Sequence, residues 1–366
     1  MKINRAIISG GGSGGHIFPA IAIANRIKKE FPEADILFIG AEGKMEMTKV
    51  PEAGYKIEGL RISGLQRRLT LKNLTLPFKL LNSLLKARRI IKSFNPDVVI
   101  GVGGYASAPT LKMASMLKIP TIVQEQNSFP GKTNKMLAKS VTKICVAYEN
   151  LDRFFPKDKI VLTGNPVRTK VVQIDGLKEK GLAHFGLEEN KKTVLVVGGS
   201  LGAKTLNESL IGNVSLLQKK NIQVIWQSGS YQFEEMKKRF SEIDRKGIVL
   251  TEFINEMELA YAAADVIVSR AGAIAISELC IIGKPVVLVP SPNVAEDHQT
   301  KNAMALVKDN AAIYVKDSEA REQLIPRVIQ LLENEEEQEK LAENIKKKAI
   351  INADERIVSV AKSIVS

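Results

Sequence analysis

Gly10-Gly11-Gly12-Ser13-Gly14-Gly15-His16 follows a short apolar run, Ala6-Ile7-Ile8-Ser9, and precedes a helical run from Pro19 to about Glu30. A strand, a glycine-rich turn and a helix N-terminus, in that order, aim bare backbone N–H groups and the positive end of a helix dipole at one point. That is an anion site. Two more stretches repeat the device. Gly101-Val102-Gly103-Gly104-Tyr105 follows Val98-Val99-Ile100, and Gly198-Gly199-Ser200-Leu201-Gly202-Ala203 follows Val194-Leu195-Val196-Val197. One such loop could be a mere tight turn. Three at strand ends, the last opening a new half of the chain, point to anion binding in both halves.

Working outward from these loops, apolar strands alternate with helices. In the first half the strands are Ala6–Ser9, Ile36–Ile39, Val98–Ile100, Thr121–Gln124 and Lys143–Ala147; the helices are Pro19–Glu30, Leu74–Phe94 and Thr110–Leu117. In the second half the strands are Thr193–Val197, Gln223–Gln227, Ile248–Leu250, Val266–Ser269, Val286–Val289 and Ala312–Val315. Its helices are Lys204–Lys219, Glu256–Ala264, Ile274–Ile282 and Asn302–Lys308. Apolar strands joined by helical crossovers predict parallel sheets covered on both faces, hence an α/β fold. The breakers in Thr163-Gly164-Asn165-Pro166-Val167-Arg168 predict a boundary there, giving domains 1–166 and 167–349. From Glu333 onward the chain is charged and helical.

A chain of 366 residues suits two domains, and 45% hydrophobic with 25% charged residues is globular composition. No apolar run reaches the roughly 18–20 residues a bilayer span needs, and the chain enters a strand almost at once, so no signal peptide is expected. Cys145 and Cys280 are too far apart for a metal or redox spacing, and no metal or cofactor is expected. The net charge of +13 suits an anionic partner. Aromatics do not interleave with the basic runs, so nucleic acid is discounted.

Several residues stand out for chemistry. Gly10-x-Gly12-x-x-Gly15, with Glu42 after the second strand, formally permits a dinucleotide enzyme, but that reading leaves the third loop unexplained. No Gly-Lys-Ser/Thr follows either loop, so neither is a Walker A. His16, at the mouth of the first loop, has a side chain suited to proton transfer near neutrality. His298 follows a later strand, and His184 sits in a polar stretch. Ser269-Arg270-Ala271-Gly272-Ala273 enters a helix carrying Glu278, which reads equally well as a solvated acid or as a ribose-diol acceptor. Leu74, Phe78, Leu81 and Leu85 recur at helical spacing among Arg61, Arg67, Arg68, Lys72, Lys79, Lys86, Arg88, Arg89 and Lys92. An apolar patch with a cationic rim suits a membrane surface; an amphipathic core helix is the bland alternative.

Taken together, these segments resemble the MurG family, the UDP-N-acetylglucosamine transferases that convert lipid I to lipid II in peptidoglycan synthesis. The resemblance runs nearly end to end: Gly10–Pro19, Gly101–Pro109, Glu125-Gln126-Asn127 with Pro130-Gly131, Gly164–Arg168, Gly198–Asn207, Phe253 to Ala264, Ser269–Glu278 and Asp297–Ala303. Gln124, Leu201 and Ala275 depart from residues common in that family.

The resemblance implies a GT-B fold, with two Rossmann-like domains facing a cleft and a last helix, about 350–366, packed back on the first. It implies a donor site in the second domain, with Ser200 at the diphosphate, the Ile254 backbone at uracil and Glu278 at the ribose. Gln299 and Asn302 reach the sugar, Ala273 lies beside the donor, and Ser13, Gly14, Gly15, Asn127 and Arg168 border it. Gly12, Gly103, Gly104 and Tyr105 receive the lipid-linked acceptor. It implies an inverting transfer to a C4 hydroxyl, His16 as first-choice base with Glu125 second, and a role in cell shape and division. The implied location is peripheral, on the cytoplasmic face of the bacterial inner membrane, against its anionic surface and with other cell-wall synthesis proteins as partners. A UDP-sugar epimerase on the same scaffold has no use for the basic apolar segment, and a non-catalytic docking protein has none for His16, Glu278 and Gln299 together.

Overall fold

The computed structural model describes residues 2–62, 76–167, 173–243 and 245–365, with backbone only at 76–79 and 295. The chain forms two compact units, 1–167 with 352–366 and 168–351.

Unit 1 runs β1 (Arg5–Ser9), α1 (Gly14–Glu30), β2 (Asp35–Ala41), α2 (Glu46–Glu52), β3 (Lys56–Leu60), α3 (Leu76–Phe94), β4 (Val98–Gly101), α4 (Ser107–Met116), β5 (Thr121–Glu125), α5 (Lys132–Leu137), β6 (Lys143–Val146) and β7 (Ile160–Leu162). Its sheet is parallel in the order β3-β2-β1-β4-β5-β6-β7. Successive strand residues face opposite sides. Ala6 and Ile8 therefore join Ile23 and Ile27 of α1 in one core, while Ile7 joins Ala87 and Ile91 of α3 in another.

Unit 2 runs α6 (Lys178–Phe185), β8 (Thr193–Val197), α7 (Lys204–Ile211), α8 (Val214–Lys219), β9 (Gln223–Gln227), α9 (Phe233–Ser241), β10 (Ile248–Thr251), α10 (Met257–Ala263), β11 (Val266–Ser269), α11 (Ala273–Ile282), β12 (Val286–Leu288), α12 (His298–Val307), β13 (Ile313–Tyr314), α13 (Ala320–Leu332) and α14 (Glu335–Lys346). Its sheet is parallel in the order β10-β9-β8-β11-β12-β13. The chain then returns to unit 1 as α15 (Ala353–Ile364), which buries Ile357, Val358 and Ala361 in the α1 core. Arg26–Glu355 and Lys362–Glu30 ion pairs flank that packing.

Strand order reverses between β1 and β4 in unit 1, and between β8 and β11 in unit 2. Such switch points, at the carboxyl ends of the strands, are where doubly wound sheets bind ligands. The first two glycine loops follow β1 and β4; the third follows β8, and Ser269–Ala273 runs from the end of β11 into α11.

Some boundaries differ from the sequence reading. α1 begins at Gly14, not Pro19, with Ser13 extended at its N-cap, so the glycine loop is itself the helix start. The run Lys204–Lys219 breaks at Gly212-Asn213 into two helices, and α12 starts at His298, not Asn302. β3 was not expected, because Lys56 and Glu58 interrupt its apolar pattern at a sheet edge. The polar helix α9 buries only Met236 and Phe240, too thin a stripe to announce itself.

Candidate active site

In unit 1 the two glycine loops interlock at the switch point. Gly11 N–H donates to the Gly103 carbonyl (3.3 Å). Ser107 Oγ, at the start of α4, donates to the carbonyls of Ser9 (2.7 Å) and Gly103 (2.9 Å). Gly104, at φ +86°, has no room for a side chain, because a Cβ would fall 2.4 Å from the Gly11 carbonyl oxygen. His16 sits on the first turn of α1, half-buried, with Nδ1 3.1 Å from the Gly11 carbonyl oxygen and 3.2 Å from Ser13 Oγ. A carbonyl only accepts, so in the neutral ring Nδ1 carries the proton and the lone pair lies on Nε2. Nε2 faces the second loop: a Cβ on Gly103 would come within 2.8 Å of it. Tyr105 is exposed beside that loop.

The N–H inventory corrects one expectation. Gly12 N–H donates to the buried Glu46 carboxylate (Oε2, 2.8 Å), whose Oε1 accepts from Ala41 N–H (3.0 Å). The first N–H groups of a helix have no partner within it. Those of Gly14 and Gly15, not that of Gly12, are therefore what this loop offers an anion.

Glu125, the second candidate base, is engaged otherwise. Its Oε1 accepts from Asn127 N–H (3.0 Å) and Nδ2 (3.2 Å), and its Oε2 from Gly131 N–H (3.1 Å) and Asn134 Nδ2 (2.8 Å). Burial raises its pKa, against the pull of those four donors. With each oxygen accepting twice, Glu125 holds the loop 126–131, and with it Asn127, in place. Gln124 Nε2 donates to Asn165 Oδ1 (2.8 Å), Asn165 Nδ2 to the Gln126 carbonyl (3.0 Å), and Gln126 Nε2 to the Val102 carbonyl (2.7 Å). That buried amide chain braces the second glycine loop. Glu42, the ribose acid of the dinucleotide reading, pairs instead with Arg61 and Lys86 on the surface.

α3 buries Ala87 and Ile91 but exposes Leu81 (56%) and Leu85 (57%) beside Leu80. Arg88, Arg89 and Lys92 are also exposed on this helix. Leu74, the side chain of Phe78, and Arg168 lie outside the described residues. Among the described residues, no helix is long and apolar enough to cross a membrane.

In unit 2 the third loop leads into α7 with Ser200 exposed at its tip. Gly202, at φ +88°, lies against β9: a Cβ would sit 2.1 Å from the Ser228 carbonyl oxygen. Gln227, buried at the end of β9, donates from Nε2 to the Gly199 carbonyl (3.1 Å) and accepts from Ile254 N–H at Oε1 (2.9 Å). Arg270 does not point to an anion; it donates to the carbonyls of Val289 (2.9 Å) and Pro290 (3.2 Å) and pairs with Asp317 (2.5 Å). Glu278 lies on the second turn of α11, 4% exposed, and accepts from Tyr261 OH (3.2 Å). Ala273 opens that helix. On α12, Asn302 is buried and donates to the Ala271 carbonyl (3.4 Å), and Gln299 Oε1 accepts from Ser291 N–H (2.8 Å). His184 lies beside Glu256.

Glu46 and Gln227 were missed. Glu46 had no helix cue, since Met45 precedes it as a non-capping residue. Gln227 did carry a signal, a polar residue closing an otherwise apolar parallel strand at its ligand-facing end. Among the described residues no group of His, Cys, Asp and Glu is placed to hold a metal ion.

Comparison with known proteins adds to this geometry. Residues 6–146 match the model of the glycosyltransferase family 28 N-terminal domain, and residues 193–357 that of the glycosyltransferase family 28 C-terminal domain. The chain is 53% identical over 358 residues to a protein of Flavobacterium psychrophilum, covering 98% of this chain and 97% of that one. A protein of Cytophaga hutchinsonii is 54% identical over 358 residues, with 98% and 96% covered. Both are named UDP-N-acetylglucosamine–N-acetylmuramyl-(pentapeptide) pyrophosphoryl-undecaprenol N-acetylglucosamine transferase. The crystal structure of Acinetobacter baumannii MurG superposes with a TM-score of 0.80 at 28% identity, covering 98% of this chain and 99% of that one. A UDP-GlcNAc 2-epimerase from Neisseria meningitidis shares the fold alone, with a TM-score of 0.66 at 16% identity and 99% of this chain and 100% of that one covered.

Proposed function

Because the chain belongs to the MurG family of glycosyltransferase family 28 and has its GT-B fold, we infer that it moves N-acetylglucosamine from UDP-N-acetylglucosamine to lipid I. The acceptor is the C4 hydroxyl of the N-acetylmuramoyl sugar, and the products are lipid II and UDP. The assignment of roles rests on one observation: the unit 1 switch point carries His16, with Nδ1 against the Gly11 carbonyl, while the unit 2 switch point pairs a glycine loop with a buried carboxylate, Glu278.

Unit 2 takes the donor. The diphosphate lies at the third loop and the start of α7, against Ser200, where backbone N–H groups and the helix dipole neutralise it. The N–H of Ile254 is already given to Gln227, so its carbonyl is the group that meets a uracil N–H. Glu278 accepts from the ribose hydroxyls, a charge-assisted contact. Ala273, Gln299 and Asn302 complete the donor contacts within this unit. Unit 1 takes the acceptor at its interlocked loops, with Gly103, Gly104 and Tyr105 against the lipid-linked diphosphate.

In the reaction, Nε2 of His16 accepts the proton of the C4 hydroxyl as its oxygen attacks C1. The bond from C1 to the diphosphate oxygen breaks, and configuration at C1 inverts. The negative charge that grows on the leaving diphosphate meets donors already in place, the usual large electrostatic contribution. The exposed leucines of α3 and their cationic neighbours rest on the anionic cytoplasmic face of the bacterial inner membrane, where the lipid acceptor resides.

The test is to incubate the protein with UDP-N-acetylglucosamine and a short-chain lipid I analogue, with and without EDTA. We expect one UDP per disaccharide, a β-1,4 linkage, and activity that survives the chelator. UDP release without disaccharide, a 2-epimerised sugar, or loss in EDTA restored by Mg²⁺ contradicts the reading.

A further inference from the structure

Among the described residues, Glu46 is the buried carboxylate that touches the first glycine loop without a role in the chemistry above. It opens α2, is 1% exposed, and accepts from Gly12 N–H (2.8 Å) and Ala41 N–H (3.0 Å). It thereby ties the loop after β1 to the end of β2. The fit is close: a Cβ on Gly11 would fall 2.1 Å from Glu46 Cδ, and one on Gly40 would fall 2.6 Å from Glu46 Cγ. Gly11 is also the residue whose carbonyl meets His16 Nδ1 and whose N–H meets the second loop. A path of direct contacts thus runs from the Glu46 carboxylate through Gly11 and Gly12 to the imidazole.

We propose that Glu46 is a positioning residue for the transfer: its carboxylate fixes the Gly10–Gly15 loop so that the Gly11 carbonyl holds His16 with its lone pair on Nε2. The same contact takes the Gly12 N–H out of the anion site, so the acceptor diphosphate is met by the helix start at Gly14 and Gly15. The proposal rests on the reading of His16 as base.

Glu46→Gln is nearly isosteric, but its NH₂ group meets one of the two N–H donors head-on. Glu46→Asp keeps the charge and falls short by one methylene. Both variants are made alone and on a His16→Ala background, and kcat, the KM for the lipid I analogue and the Kd for UDP-N-acetylglucosamine are measured. We expect Glu46→Gln to lower kcat about 10- to 100-fold and to raise the acceptor KM. The Kd for the donor should stay within about twofold, and Glu46→Asp should fall between. On the His16→Ala background the further loss in kcat should shrink to less than about threefold, because groups that act as a unit are not additive. An equal loss on both backgrounds, or no loss in either variant, overturns the proposal. Should Glu46→Gln fail to fold, the same cycle with Glu46→Asp decides it. If His16→Ala itself keeps turnover, the base assignment fails. The acceptor KM of the Glu46 variants then shows on its own whether the carboxylate shapes the acceptor loop.

Discussion

The two switch points are built alike and furnished differently. Each has a glycine loop leading from a central parallel strand into a helix, and each loop is gripped from behind by one buried side chain. In unit 1 the grip is a carboxylate, Glu46, and a histidine stands on the helix start. In unit 2 it is a neutral amide, Gln227, and a buried carboxylate, Glu278, stands on α11. A buried carboxylate under a loop weakens that loop's pull on a dianion; an amide does not. On the proposed reading the same backbone device serves two ends, a nucleotide diphosphate held in unit 2 and a proton moved in unit 1.

The largest effect that can break this comparison belongs to His16. His16→Ala should lower kcat by roughly 10²–10⁴-fold, the usual worth of a positioned base, in steady-state assays with the lipid I analogue. Turnover that survives there and vanishes in Glu125→Ala would exchange the two roles, against the four hydrogen bonds that occupy Glu125. On the other side, Glu278→Ala should raise the donor KM about ten- to a hundredfold, since a charge-assisted hydrogen bond is worth roughly 1.5–3 kcal/mol. An unchanged donor KM in the folded variant removes Glu278 from the nucleotide.

The units also bury charge of opposite sign, and this can be read in stability. In unit 1, burial raises the Glu125 pKa. In unit 2, burial pulls Lys284 down from 10.5 to about 8, while its ammonium donates to the carbonyls of Ala262 (2.7 Å) and Ala264 at the end of α10. Between those pH values the unfolded chain binds the extra proton, so this lysine makes stability rise with pH, by at most about 3 kcal/mol. Lys284→Met should abolish that rise in denaturant titrations across the window. Cys145 and Cys280, pushed up to about 12, slope the other way above their ordinary range in both proteins and cancel in the difference. Parallel curves for the two proteins would refute the lysine's part.

Smaller effects sharpen the picture. Gln227→Met leaves the Ile254 N–H without its acceptor and should cost about 1–3 kcal/mol, seen as a weaker Kd for UDP with kcat at saturation nearly unchanged. Leu81→Asp with Leu85→Asp should weaken binding to anionic vesicles several-fold without lowering Tm. Each basic neighbour contributes about 1 kcal/mol at such a surface and is screened by salt. Equal binding by variant and parent would leave α3 without a membrane role.

Much of this was legible in the sequence because it rests on short-range signals. Apolar runs such as Val194–Val197 and the glycine loops at their ends mark parallel strands and switch points, and His16 stands next to such a loop in the chain. What was hidden depends on contacts far apart in sequence. Glu46 reaches back 34 residues to Gly12, and Gln227 reaches 28 to Gly199. No local pattern distinguishes Glu46 from Glu42, yet one carboxylate is buried against the loop and the other pairs with surface cations. The partners of Arg270 were hidden in the same way: it closes onto Asp317 and the carbonyls of Val289 and Pro290. Edge elements such as β3 escaped because a half-solvated strand carries charges in its alternation.

The division of labour between the units is tested most directly by the calorimetric Kd of UDP-N-acetylglucosamine for folded His16→Ala. The account predicts a value within about threefold of the unaltered protein, although turnover is lost, because an interaction made only in the transition state leaves ground-state binding alone. Donor affinity that falls in step with turnover would place His16 in the nucleotide site and contradict the assignment of proton transfer to unit 1.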